Sequence, residues 1–193
     1  MKCIAHRGYS LKYRDNSIEA IREAIHREYD GVEIDVQLCE TDELVLFHDV
    51  YTQGKFISEM SLDQVKEHGI ITLQQVYEEI PDIRRTLLIL DIKGVDLRVV
   101  KALEKFYEKE STENVTFCSF NRKIIYSLPS EFKIGSTSET TFHKSEYPLI
   151  TMGLNAVVLH WTCLDHEFIT HCKNEDIKVY TYTHKEDEEL EYM

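Results

Sequence analysis

Gly31-Val32-Glu33-Ile34-Asp35-Val36-Gln37-Leu38 is an apolar run with two carboxylates set two residues apart. Read as a strand, it points Glu33 and Asp35 to one face and Val32, Ile34 and Val36 to the other. Two carboxylates inside a buried strand are costly unless a cation or a hydrogen-bond partner compensates them. The pattern recurs nearby. His6-Arg7-Gly8 follows the apolar run ending at Ala5, and Leu44-Val45-Leu46-Phe47 runs into His48-Asp49. Leu87 to Leu90 runs into Asp91-Ile92-Lys93. The end of a buried strand is where a parallel α/β sheet places its chemistry.

Outward from this stretch, strand and helix signals alternate along the chain. Strands are predicted at Cys3 to Ala5, Gly31 to Leu38, Leu44 to His48, Leu87 to Lys93, Val115 to Phe120, Lys133 to Thr137, Ala156 to His160 and Lys178 to Thr183. Helical spacing marks Asn16 to Glu28, Ser61 to His68, Thr72 to Ile80, Leu97 to Lys109, Arg122 to Leu128, Ser145 to Met152 and His166 to Lys173. Ser61 and Thr72 have the side chains of helix N-caps. Strands separated by helices imply a parallel sheet, and this many units imply a (β/α)8-type TIM barrel. The count is short by one: seven βα units are found, the last ending in Glu186 to Met193. Barrels of this type run to about 250 residues and rarely fall below about 200. The expectation is a single domain over residues 1–193, with a short insertion at about 49–72 and no eighth unit. An open seam between the first and seventh barrel strands would expose unpaired edges, a site of oligomerisation or of instability.

Composition narrows the function. A formal net charge of −13 repels nucleic acid and anionic membranes. The five cysteines, Cys3, Cys39, Cys118, Cys163 and Cys172, are scattered and lack CxxC spacing, which fits reduced thiols rather than a disulfide framework or a zinc site. The strand pattern begins at Lys2, leaving no room for a signal peptide, and the longest apolar run, around Leu87 to Leu90, is too short to span a bilayer. A soluble, cytoplasmic protein is expected.

In a barrel, inward residues at the strand ends bring Glu33, Asp35 and Asp91 together. Three hard oxygen ligands suit Mg²⁺ or Ca²⁺ rather than zinc. The alternative is an internal Asp91–Lys93 salt bridge with Glu33 on a solvated edge; recurrence at two strand ends beside His6 and His48 favours the metal. Two histidines at one rim suit general acid/base work near neutral pH. Arg7 and Lys93 suit a phosphate, the first as a bidentate fork and the second as a point charge. Metal, bases and cations together describe phosphoester hydrolysis. His160, the other histidine at a strand end, reads as structural.

These residues resemble the glycerophosphodiester phosphodiesterase family, whose hallmarks are HRG, a P-E-N-T element opening a helix, E-x-D, T-x-D-G and a strand ending HD. The matching residues are His6-Arg7-Gly8, Asp15-Asn16-Ser17, Glu33-Ile34-Asp35, Thr41-Asp42 and His48-Asp49. Thr72-Leu73, Leu90 to Lys93, Ser119-Phe120 and Val179 to Thr183 fall where the family shows TL, an IEIK-like strand, SF and a VxxWT strand. The resemblance implies His6 and His48 as the acid/base pair, Glu33, Asp35 and Asp91 as ligands of one divalent cation, and Arg7 and Lys93 on the phosphate. The implied reaction releases sn-glycerol 3-phosphate and an alcohol from a small-molecule glycerophosphodiester. Alternatives are a phospholipase on the same barrel, of the sphingomyelinase D or phosphoinositide-specific type, that forms a cyclic phosphate, and a degenerate binding protein. The chain departs from the pattern in several places. Asp91 stands where the family has Glu, one methylene longer. Asp15 replaces the Glu of the P-E-N-T element, and Glu43 the Gly after Thr41-Asp42. Tyr182 stands where a Trp lines the substrate end. The segment from Asp49 to Ser61 is short and lacks the usual leucine-arginine-threonine motif.

Overall fold

The computed structural model describes residues 2–184. Strand β1 (Ile4–His6) leads to α1 (Ile18–His26) and β2 (Gly31–Leu38), which folds back onto β3 (Leu44–Val45). A hairpin of β4 (Tyr51–Thr52) and β5 (Lys55–Phe56) precedes α2 (Leu62–Glu67) and α3 (Leu73–Glu79). Strand and helix then alternate through β6 (Leu87–Ile92), α4 (Arg98–Tyr107), β7 (Val115–Ser119), α5 (Arg122–Ile125) and β8 (Ile134–Ser138). The series continues with α6 (Tyr147–Thr151), β9 (Ala156–His160), α7 (His166–Asn174) and β10 (Lys178–Tyr182).

Seven of these strands form one parallel sheet in the order β1-β2-β6-β7-β8-β9-β10, curved nearly into a barrel with helices outside it. This is the (β/α)8-type TIM-barrel class that the alternation predicts. Among the described residues no eighth barrel strand is present and β1 does not pair with β10. The Glu186–Met193 segment lies outside the described residues. No helix among them is long and apolar enough to cross a membrane. All five cysteines are free.

The alternation of each strand divides its side chains between two cores. Val32, Ile34, Val36, Leu88, Leu90, Ile92 and Phe117 point outward and are buried under the helices. Helix α4 supplies Val99, Leu103 and Tyr107, four residues apart on one stripe. Phe117 stacks on Phe132 at 4.5 Å between centroids and meets Tyr107 edge-on. Ser61 and Thr72 close capping boxes at the starts of α2 and α3, each accepting a bond from the backbone three residues on. A second, smaller cluster of Cys39, Val45, Ile57, Met60, Val65 and Ile70 lies beneath the segment between β3 and α3.

One predicted strand is corrected. Leu44 to His48 is not a barrel strand: only Leu44 and Val45 pair, and they pair antiparallel with Leu38 and Gln37. The turn at Asp42, with φ +69°, sends the chain back alongside β2. Beyond it Leu46 donates its N–H to the Ile71 carbonyl, leaving the ladder. His48 therefore stands in a loop, and the barrel neighbours of β2 are β1 and β6.

Candidate active site

Register brings the acidic residues together. Along β2 and β6, Asp35 lies directly beside Asp91, and along β1 and β2, His6 lies beside Glu33. Carboxylate oxygens of Glu33, Asp35 and Asp91 lie within 4.8 Å of one another. Asp35 and Asp91 are buried and Glu33 is nearly so. Burial pushes the Glu33 carboxyl well above its ordinary range, and the neighbouring Asp35 and Asp91 charges push it further. Burial also raises Asp91, against the pull of Lys93.

The turn after β1 is strained. Arg7 has φ +58°, which aims its N–H at Glu33 Oε2, 2.9 Å away. Gly8 follows at φ +78°, and a Cβ there would lie 2.6 Å from the backbone of Ala20, so helix α1 can approach only a glycine. Asn16, also left-handed at φ +56°, locks Asp35 from the other side. Its Nδ2 donates to Asp35 Oδ2 at 2.8 Å, and its Oδ1 accepts the Asp35 N–H at 3.0 Å.

The two basic residues meet carboxylates. Arg7 lies 3.0 Å from Asp15 and 3.2 Å from Asp35, and Lys93 Nζ lies 2.9 Å from Asp35 Oδ1 and also pairs with Asp91. The contacts to Asp35 are ion pairs rather than aligned hydrogen bonds, since Arg7 Nε and Asp35 Oδ1 find no partner in hydrogen-bonding geometry. The Asp91–Lys93 bridge read as an alternative to metal binding thus coexists with the three-carboxylate cluster. Burial favours the neutral amine, but Asp91 and Asp35 outweigh it and raise Lys93. Asp91 Oδ1 is buried and has no hydrogen-bond partner. An orphaned carboxylate oxygen inside an acidic cluster is the donor set a hard divalent cation takes, so the residues fit the metal.

His6 Nε2 is 3.9 Å from Glu33 Oε2. Burial, with the Arg7 charge, lowers its pKa from 6.5 to about 4. The ring is therefore neutral at neutral pH. His48 Nδ1 lies 2.7 Å from Asp49 Oδ1, and its loop is anchored by Gln37, whose Nε2 donates to the carbonyls of Phe47 and Asp49. The structure gathers His6, Arg7, Glu33, Asp35, Asp91 and Lys93 at the ends of β1, β2 and β6, with His48 on the adjoining loop. Tyr182 ends β10, where its hydroxyl donates to the Ser138 carbonyl and to Glu139 at 3.3 Å, and its ring meets Phe120 and His160 edge-on. His160 contacts Thr162 and stacks on Trp161.

Three supporting residues escaped the sequence reading. Asn16 was visible only as part of Asp15-Asn16-Ser17, just before the Ser17 N-cap. Gln37 continues the two-residue period of Glu33 and Asp35, which marks it as inward. Asp49 follows His48 directly, a position from which no spacing rule assigns it the ring nitrogen.

A model of the glycerophosphoryl diester phosphodiesterase family matches residues 6–193. A glycerophosphodiester phosphodiesterase of Caldanaerobacter subterraneus subsp. tengcongensis is 25% identical over 215 residues, covering 98% of this chain and 88% of that protein. Among solved structures, a glycerophosphodiester phosphodiesterase from Thermotoga maritima superposes with a TM-score of 0.82 at 22% identity, covering 100% of this chain and 90% of its own. An Oleispira antarctica phosphodiesterase, solved with its product sn-glycerol-3-phosphate, gives 0.86 at 21%, covering 100% and 88%. At these identities the two structures speak to the fold, and the family match to the lineage. The chain belongs to the glycerophosphoryl diester phosphodiesterase family and is a phosphoric diester hydrolase.

Proposed function

We propose that this chain hydrolyses a small glycerophosphodiester to sn-glycerol 3-phosphate and the free alcohol. The observation that carries the reading is the cluster of Glu33, Asp35 and Asp91 with its unpartnered buried oxygen, set beside two histidines and two cations. Those three carboxylates would hold one Mg²⁺ or Ca²⁺, which when bound supplies charge neutralisation at the phosphoryl oxygens.

The remaining chemistry belongs to the side chains. His6, neutral at pH 7 with its Nε2 facing the cluster, accepts the proton of the attacking water. The water oxygen bonds to phosphorus while the bond from phosphorus to the alcohol oxygen breaks. His48 Nδ1 lies against Asp49, which orients the ring, and its Nε2 edge passes a proton to the leaving alkoxide. Arg7 and Lys93 stand within reach of the same centre and stabilise charge on the phosphate. Tyr182, at the end of β10, borders the alcohol.

The test is incubation with glycerophosphocholine or glycerophosphoethanolamine, with Mg²⁺ or Ca²⁺, followed by phosphorus NMR. Glycerol 3-phosphate forms, and both EDTA and His48→Ala abolish it. A cyclic phosphate as the final product would transfer the reading to the phospholipase type, and no turnover with cation still bound would overturn it.

A further inference from the structure

Among the described residues, every buried serine or threonine but one pairs its hydroxyl. Ser119 donates to the Ile92 carbonyl and Thr151 to the Tyr147 carbonyl. Thr72 closes its capping box, Ser136 accepts from Arg122, and Thr116 meets the Tyr180 hydroxyl. Thr137 is the exception: only 6% exposed, it leaves its Oγ1 without a partner. A buried unpaired hydroxyl is a cost that valine, with the same shape and no polar atom, would remove. The fold gains nothing from a threonine there.

Register fixes where that hydroxyl points. Asp35, Asp91, Cys118 and Gly135 lie side by side across β2, β6, β7 and β8. Phe117 packs outward on Phe132, so Cys118 faces the barrel interior, and a Cβ on Gly135 would stand 2.8 Å from its Sγ. Thr137 comes two residues after Gly135 on the same strand. It therefore shares the inward face and lies one pleat nearer the C-terminal mouth than the row of the carboxylates. Its neighbour in register on β9 is Val158, which lies beside Tyr180, and Tyr182 is one pleat further on. Thr137 thus stands between the row of Asp35 and Asp91 and that of Tyr182. Val158, His160, Tyr180 and Tyr182 are only half-buried, so this side of the interior is open to a small ligand.

A neutral hydroxyl with its proton and lone pairs uncommitted is matched by another hydroxyl. In the diesters proposed as substrates, choline and ethanolamine have given their hydroxyl to the phosphoester. An ammonium group is drawn instead to an anion such as Glu139, at the rim beside Tyr182. The hydroxyls that remain are those on C1 and C2 of the glycerol. We infer that Thr137 is a specificity residue whose Oγ1 exchanges a hydrogen bond with a glycerol hydroxyl of the substrate. The inference rests on the proposed phosphodiester chemistry, which seats the phosphate at the carboxylate cluster. The glycerol then runs towards β8, and the alcohol leaves past Tyr182.

The test compares sn-glycerol 3-phosphate with its two deoxy analogues, the monophosphates of propane-1,2-diol and propane-1,3-diol, as ligands of the protein in Mg²⁺. Calorimetric Kd needs no turnover. The wild-type protein is expected to bind at least one analogue about tenfold or more weakly than glycerol 3-phosphate, the loss met when a site built for a hydroxyl receives a ligand without it. In Thr137→Val that preference falls to about twofold or less, and in Thr137→Ser, which keeps the hydroxyl, it is retained. The kcat/KM ratios of glycerophosphocholine and its deoxy counterparts follow the same pattern. Thr137→Val should also unfold at or above the wild-type Tm, because it removes an unpaired buried hydroxyl. Equal Kd for all three ligands in the wild type, or a preference that survives Thr137→Val, overturns the inference. So does a valine variant that unfolds well below the wild type or does not fold, which would give the hydroxyl to the fold. Discrimination between the ligands without any turnover would refute the hydrolytic reading and leave Thr137 its assignment; no binding of glycerol 3-phosphate to the wild type overturns both.

Discussion

Replacing Asn16 separates two contributions that the structure places on one residue. Its side chain donates to the Asp35 carboxylate and accepts the Asp35 N–H, and its backbone is left-handed at φ +56°. Asn16→Ala removes a charge-assisted hydrogen bond worth about 1.5–3 kcal/mol and strands a buried backbone N–H at a cost of about 1 kcal/mol or more. Alanine in the left-handed region adds roughly 1 kcal/mol. The expected total is about 4 kcal/mol, a large part of the ~5–15 kcal/mol that holds a domain folded. Asn16→Gly makes the same hydrogen-bond losses but tolerates the backbone, so it should be about 1 kcal/mol less damaging. Urea denaturation followed by far-UV circular dichroism checks both. With a slope of about 2 kcal/mol/M, the midpoint falls by about 2 M for alanine and about 1.5 M for glycine, the slope itself unchanged. A shift below about 0.5 M for alanine would refute the view that Asn16 braces Asp35. Glycine as damaging as alanine would refute the backbone share.

Gly8→Ala drives a Cβ to 2.6 Å from the Ala20 backbone at a left-handed φ, and should cost more than about 3 kcal/mol, seen as a large fall in Tm or loss of soluble protein. In the metal-free protein, the His6 ring resonances should titrate near pH 4 rather than 6.5. Because the unfolded ring binds its proton more readily, stability is fully present above about pH 6.5 and is lost as pH falls towards 4; a midpoint near 6.5 would contradict the burial argument. Gln37→Ala frees the loop that carries His48 and should lower kcat on glycerophosphocholine by at least about tenfold with a smaller change in KM, since misplacement of a reacting group by about 1 Å costs up to about a hundredfold. Equal loss in a bulk stability measurement and no kcat effect would remove Gln37 from that positioning role.

The barrel was legible because its signals are local. Period-two alternation at Glu33 and Asp35 names the inward face, and Ser61 and Thr72 announce helix starts through chemistry confined to four residues. The predicted strand at Leu44 to His48 failed for the opposite reason. An apolar run of four is equally at home in a ladder or in an extended loop, and what decides is whether partners remain beyond Val45. The site shows the same division. Which side chains converge follows from strand position, whereas the partners of Arg7 and Lys93 depend on which carboxylates the folded barrel brings close. Asn16 was hidden because its contribution runs across nineteen residues of sequence to Asp35.

The pairing of Asp35 with Asp91 also makes the cluster a gauge of how β2 and β6 have zipped. A slip of one residue would set Asp35 against Leu90 or Ile92 and turn one strand's carboxylate into the apolar layer. Such an error takes Asp91 out of register and leaves only the Glu33–Asp35 pair of β2. Cation uptake during refolding should therefore rise in step with native sheet formation and ignore collapsed, misaligned intermediates, so that a titration with a spectroscopic metal reports the alignment of two strands.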